Sequence, residues 1–425
     1  MRRGRRTRRQ FVRAGAAALG ATLAGCSNRN PTPTSEQFRF EGVGDGFVER
    51  TETVYDRLTD IVGASIHERT TIERITPSEM RERAETYPVV GGSRTQKLAY
   101  RALGLTERLD ADRSFEFAGS YDPASTTIRL VGTDDAAIDD QLLAHELFHA
   151  IQFQTGSLDE WNRSWSVGFD RYSAQQAVVE GTAMFVEDEY VDGCGGDFAH
   201  CQLADPTRIS PGSLDPALLL QYGSYFNGYD FASALAARGG WEQIWASHDD
   251  PPISSGQILH PAWYPDRHPE PVTAPSEPGD GWTLLDTERL GMQALFTTLW
   301  QAGALPTEAV YTRSPEATDE VYASLIRYRA PVTDQWRGDA FTGFERDDGA
   351  YGWYWRIRFA DTAAAETGFE HVRHWAESRG AQTDRENVWT SDGRYEAIGL
   401  DDEDVLVWMA PELADFAALA PEYWE

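Results

Sequence analysis

The sequence predicts an α+β protein in two units, a larger N-terminal one and a smaller C-terminal one. Three observations predict it. Apolar residues recur at helical spacing in several stretches, as with Phe47, Val54, Leu58 and Val62. Short alternating β-branched runs, such as residues 126–131, lie between them. Residues 268–281, rich in Pro, Glu and Gly, then separate this set from a second. At 425 residues the chain has room for two to three domains, or one large domain with an appendage.

Charge narrows the setting. The net charge is −30 and the pI is near 4.6. Arg2, Arg3, Arg5, Arg6, Arg8, Arg9 and Arg13 all lie in the leading segment, and without them the chain carries −37. Lys97 is the one lysine. Such a surface repels itself until salt screens it, and in molar salt the Debye length falls to about 3 Å. The composition therefore suits a halophilic archaeon; an acidic protein from an ordinary source is the plainer alternative. It argues against nucleic acid and anionic membrane surfaces as partners.

The leading residues read as an address. Thr7-Arg8-Arg9-Gln10-Phe11-Val12-Arg13 resembles the twin-arginine export motif. Residues 14–24 are weakly apolar and too short for a stable span. Leu23-Ala24-Gly25-Cys26 resembles a lipobox, which makes Cys26 the expected lipid-modified N-terminus. Residues 1–26 are thus expected to be a removable signal and 27–44 a polar tether. No other segment is apolar enough to span a bilayer. The body is expected outside the cell, held to the membrane only by its lipid.

The body follows as residues 45–267. A helix is expected over 46–62, with Asp45 as its cap and Gly63 as its stop. Residues 70–75 read as a strand. Thr76-Pro77-Ser78-Glu79 has the form of a capping box with Pro at the first helical position. Residues 93–103 read as a helix. A hairpin joins 114–121 to 126–131 through Asp122-Pro123-Ala124-Ser125. A helix is expected over 134–152, burying Ile138, Leu142, Leu143, Leu147 and Ile151.

That last helix carries His145-Glu146-Leu147-Phe148-His149. Histidines four apart share a helical face, so both imidazoles reach one metal ion. Glu146, about 100° round the helix, is placed to take a proton from water on that ion. The plain alternative is an amphipathic helix with two surface histidines, which leaves the apolar flanks Ala144, Leu147, Phe148 and Ala150 unexplained. A catalytic zinc needs a third protein ligand. Glu180 is the candidate, in a helix expected over 170–190. It follows the apolar run Ala177-Val178-Val179 and precedes Gly181, where a carboxylate is out of place unless paired.

His145-Glu146-x-x-His149 with Glu180-Gly181-x-Ala183 resembles the gluzincin metallopeptidases, and in particular haloarchaeal surface lipoproteins of this pattern with no assigned substrate. The similarity covers about a third of the chain, roughly residues 117–264. The resemblance implies a zincin-like domain with a small mixed sheet, the His-Glu helix and a helical subdomain. It implies one Zn²⁺ on His145, His149 and Glu180, Glu146 as general base, and a peptide or protein substrate beside the hairpin edge. It departs in three places. The gap from His149 to Glu180 is longer than in thermolysin-like enzymes. Met184 stands where an acidic residue often orients a ligand histidine, leaving that role to another residue such as Glu187. Some relatives have Asp where Thr182 stands.

Further candidates come from downstream. With Cys26 acylated, Cys194 and Cys201 are the remaining thiols, and outside the cell they read as a disulfide. A metal site with His200 is the alternative, and it lacks further ligands nearby. The family implies a Tyr or His that steadies the oxyanion. Tyr222, Tyr225, Tyr229, His248 and His260 are the candidates, although for each alone a core or surface role is commoner. Residues 254–261 also resemble the lipoprotein group, without a derivable role. In the C-terminal unit, 282–425, helices are expected over 287–301, 316–327 and 363–380, and strands over 351–359, 387–390, 394–400 and 404–409. Its many aromatics suit a core better than carbohydrate stacking. His371 and His374 read as a solvated face. Two other functional classes stay open: a non-catalytic envelope-binding protein on the same scaffold, and a structural lipoprotein without metal.

Overall fold

The computed structural model of the chain describes residues 37–84, 93–104, 118–156, 158, 168–203, 208–209, 216–275, 277–310, 321–322 and 328–420. The expected signal, tether start and lipid-bearing Cys26 lie outside them. Among the described residues no helix is long and apolar enough to cross a membrane. The protein is α+β, with two principal sheets.

The first sheet begins with β1 (Phe38–Glu41), which returns through α1 (Asp45–Val62) to β2 (Thr70–Ile75), parallel to it. α1 buries Phe47, Val54, Tyr55, Leu58 and Val62, and Gly63 ends it in the left-handed region at φ 69°. Asp45 does not cap it: Gly44 is the cap, and its N–H donates to Asp135 Oδ2 at 2.9 Å. α2 (Pro77–Ala84) starts with the expected box, Thr76 N–H to Glu79 at 2.7 Å and Glu79 N–H to Thr76 Oγ1 at 3.3 Å. α3 (Arg94–Ala102) starts with a second box between Ser93 and Gln96. β3 (Gly119–Asp122) and β4 (Thr127–Val131) form the hairpin. The order is β1-β2-β4-β3. β4 therefore lies between two strands, and among the described residues the edge on that side is β3 rather than residues 126–131.

α4 (Asp140–Thr155) starts later than 134 because two aspartates punctuate the approach. Asp134 caps a short 3₁₀ turn, Asp135–Ala137, and Asp139 caps α4 by accepting from Leu142 N–H at 2.9 Å. Then follow α5 (Phe169–Cys194), α6 (Pro216–Gly239), α7 (Trp241–Asp249) and the short α8 (Ser255–Leu259). α5 and α6 cross with their backbones in contact, since a Cβ on Gly181 would lie 2.0 Å from the Gly228 carbonyl carbon.

The second sheet contains β5 (Trp282–Glu288), β6 (Trp336–Arg346), β7 (Tyr351–Phe359), β8 (Ala381–Gln382), β9 (Val388–Ser391), β10 (Arg394–Asp401) and β11 (Asp404–Ala410). Its order is β8-β9-β10-β11-β7-β6-β5, antiparallel throughout. α9 (Gly291–Gln301), α10 (Thr362–Arg379) and α11 (Asp415–Leu419) complete the unit. The helix expected from 287 starts at Gly291, because Thr287 and Glu288 pair with Thr342 and Phe341 as the end of β5. The helix expected over 316–327 lies outside the described residues except Val321–Tyr322, which pair with Arg208–Ile209. Residues 268–281 are tied to the C-terminal unit, with Glu270 N–H on Arg337 O of β6 and Gly279 N–H on Ala418 O of α11, both at 2.7 Å.

One core joins the two halves. Leu98, Phe169, Phe226 and Leu259 pack in a single cluster with Phe296, Trp336, Phe341 and Trp355. A buried polar network lies at the same junction. Asp170, at the start of α5, accepts from Ser255 N–H at 2.8 Å and from Arg289 Nε at 2.8 Å. Asp339 accepts from Leu290 N–H, Gly291 N–H, Trp336 Nε1 and Trp355 Nε1 at 2.8–3.1 Å. This gives residues 254–261 a role: they are the buried joint between α5 and α9. Glu288 accepts the Phe169 N–H at 2.9 Å, placing a carboxylate at the N-terminus of α5.

Candidate metal centre

α4 and α5 lie against each other, and their facing stripes carry the site. His145 and His149 are one turn apart on α4, and their Nε2 atoms are 2.9 Å apart. Glu180 on α5 brings Oε2 to 3.5 Å from His145 Nε2 and 3.4 Å from His149 Nε2. Among the described residues no other trio of His, Cys, Asp or Glu gathers its ligand atoms this way. Tetrahedral zinc with bonds of about 2.0–2.1 Å sets its ligand atoms about 3.3 Å apart, so the spacing fits such an ion. Glu180 Oε2 is buried and has no hydrogen-bond partner. Leaving a carboxylate oxygen buried and unmatched costs several kcal/mol in general, which a cation at this point would offset. The donor set of two imidazoles and a carboxylate suits zinc.

Each histidine is held from behind. His145 Nδ1 meets Glu187, and Glu187 also accepts from Gln141 Nε2 at 2.7 Å. Glu187 stands seven residues after Glu180, two turns along the same face. It takes the orienting role that Met184 cannot. His149 Nδ1 lies 2.8 Å from Gln152 Oε1. Gln152 is fully buried and was not foreseen from the sequence; its one signal is a polar residue inside an apolar face, three after His149.

The charges are coupled. Burial alone would lower His145, but Glu187 and Glu180 outweigh it and hold the imidazole well above its usual range. Burial pushes Glu180 up, yet the two histidines overcome this and hold it far below a usual carboxylate. Glu146 is raised, chiefly by burial, with the histidines opposing and Glu180 and Glu187 reinforcing. Glu146 lies against the edge strand β3: a Cβ on Gly119 would be 2.6 Å from Glu146 Oε1. Only glycine lets β3 approach this closely.

The five oxyanion candidates separate. Among the candidates whose side chains are described, Tyr225 is the one brought to the site: it stacks on His145, rings 6.5 Å apart and 11° from parallel. Tyr229 donates its hydroxyl to Asp188 at 2.9 Å, at the surface. His248 is buried behind the site, with Nδ1 on Ile244 O at 2.9 Å and Nε2 3.1 Å from Gln152 Nε2. It therefore faces Gln152 and not the ligand atoms. His260 stacks on Trp263 and pairs with Asp334 at 3.1 Å. The side chain of Tyr222 lies outside the described residues. Cys194 and Cys201 form a disulfide with Cα atoms 5.9 Å apart, closing the loop after α5. Arg57 donates to Ala199 O inside that loop at 2.6 Å.

Residues 283–420 match a family described as "Domain of unknown function (DUF8575)". That match covers the second sheet and its helices, and it stops short of α4 and α5. No curated protein matches the chain.

Proposed function

We propose that this chain is a zinc-dependent peptidase of the gluzincin type, with a zincin-like N-terminal unit. The observation that carries the reading is the convergence of His145 Nε2, His149 Nε2 and the orphaned Glu180 Oε2, with Glu146 beside them. His145, His149 and Glu180 would hold the ion. When bound, zinc lowers the pKa of water toward about 7 and polarises a carbonyl.

The chain's own residues supply the rest. Glu146 is the group placed to accept a proton and to return it to the leaving amine. Gly119 lets the edge strand lie on Glu146, and the edge of β3 offers backbone groups to an extended peptide. Glu187 and Gln152 hold the two imidazoles from behind, with both Nε2 atoms toward Glu180. Tyr225, over the face of His145, is the side chain from which an oxyanion contact is expected.

The surroundings follow from the same reading. The acidic surface suits molar salt, and the leading motif suits twin-arginine export with a lipid on Cys26. The substrate class is peptide or protein, met at the cell surface, with no nucleic acid partner. Hydrolysis of unstructured peptides in molar salt by the wild type and by Glu146→Gln tests the mechanism. A loss of about a hundredfold or more is expected for the variant. Activity that survives the change refutes the assigned base. A metal-loaded wild type with no hydrolysis would put the non-catalytic envelope-binding reading in its place.

A further inference from the structure

The two histidine ligands are supported by unlike groups. His145 leans on the Glu187 carboxylate. His149 leans on Gln152, an uncharged amide. The orientation of that amide is forced. One end lies 3.1 Å from Val179 O, which only accepts, and 2.5 Å from Thr182 Oγ1, whose own hydrogen goes to Val178 O at 2.5 Å. That end must be the nitrogen. The oxygen then faces His149, so His149 carries a hydrogen on Nδ1, which leaves Nε2 as the atom that can meet an ion.

His248 extends the chain. Its Nδ1–H donates to Ile244 O at 2.9 Å, which leaves Nε2 to accept from Gln152 Nε2 at 3.1 Å. The line from α7 to α4 thus runs through uncharged groups, with the two amide hydrogens of Gln152 shared among Val179 O, Thr182 Oγ1 and His248 Nε2. Gln152, Thr182 and His248 are at most 1% exposed, so water does not compete. Glu146, Glu180 and Glu187 already bring three carboxylates to this small volume. A fourth behind His149 would face the Val179 carbonyl and add repulsion in a poorly screened interior.

We propose that Gln152 is the positioning residue that fixes the tautomer of His149 and keeps it a weaker donor than His145, with His248 as its anchor. This rests on the metal reading above. A carboxylate partner makes an imidazole a stronger donor than an amide does, so the two ligands are tuned unequally by design of their supports.

The test uses the full chain in molar salt with cobalt(II) as probe. Affinity is measured by chelator competition and ligand field by the visible d–d bands, for wild type, Gln152→Leu and Gln152→Glu. Gln152→Leu is expected to lose about tenfold to a hundredfold in affinity. Gln152→Glu is expected to hold cobalt with shifted bands, a change that a merely structural role would not produce. Should Gln152→Leu fail to fold, Gln152→Glu decides alone. Cobalt bound by wild type, with bands unmoved in Gln152→Glu, overturns this proposal and leaves the metal reading standing. A wild type that binds no cobalt overturns both.

Discussion

Replacing Gly181 by alanine puts a sign, not only a size, at stake. A Cβ there would meet the Gly228 carbonyl carbon at 2.0 Å, its Cα at 2.2 Å and its oxygen at 2.6 Å. Ordinary carbon contacts begin near 3.4 Å, so α5 and α6 must part by about 1.4 Å. The obstacle is backbone, so no side chain can swing aside. Overpacking of this kind costs roughly 1–3 kcal/mol, and a rigid backbone contact belongs at the upper end. Alanine regains about 1 kcal/mol of helix propensity over glycine. The net expectation is a loss of about 2 kcal/mol. Gly46→Ala in α1 is the control, since nothing lies within 4 Å of its added Cβ. It should leave stability unchanged or raise it by up to about 1 kcal/mol. Urea unfolding at constant high salt measures both. Equal or greater stability in Gly181→Ala would refute the close crossing of α5 on α6.

Three other outcomes follow. In Gly119→Ala the new Cβ would lie 2.6 Å from Glu146 Oε1, so the carboxylate must shift; kcat should fall about a hundredfold with metal content unchanged, and an unchanged kcat contradicts the placement. Burial lowers His248 from 6.5 to about 4, so between those values the unfolded chain takes a proton that the folded chain refuses. Stability should therefore fall as pH drops from 6.5 to 4, by about 3 kcal/mol from this group, and His248→Gln should lose that part of the slope in urea titrations; an identical slope refutes it. Asp339→Ala strands four buried donors, two backbone and two indole, and should cost more than about 4 kcal/mol or prevent folding. A loss below about 1 kcal/mol in unfolding experiments would show that the junction does not depend on it.

Local signals were the legible ones. Thr70–Ile75 and Tyr351–Phe359 are strands where the sequence reads strands, the second buried on both faces rather than alternating, and the Thr76–Glu79 box starts its helix where the residues say it should. The convergence of His145, His149 and Glu180 was equally local, because i,i+4 on a helix and a carboxylate after an apolar run are read residue by residue. What was missed depends on distant partners. β6 escaped notice because Gly338 and Gly343 interrupt its pattern. Each allows a close approach, to Glu270 O and to Thr95, that no local window contains. The strand status of Thr287 and Glu288 depends on β6 beside them. Glu187 could be reached by counting two turns from Glu180. Gln152 could not, since its role appears only when Val179, Thr182 and His248 close around it.

The central claim is that His145, His149 and Glu180 hold one ion, and bound metal per chain tests it most directly. Elemental analysis of the full chain, purified in molar salt with zinc and then desalted of free metal, should give about one zinc in wild type. Glu180→Ala, which leaves two ligands, should retain less than about a tenth of that. Equal zinc in wild type and Glu180→Ala, or none in wild type, would contradict the account.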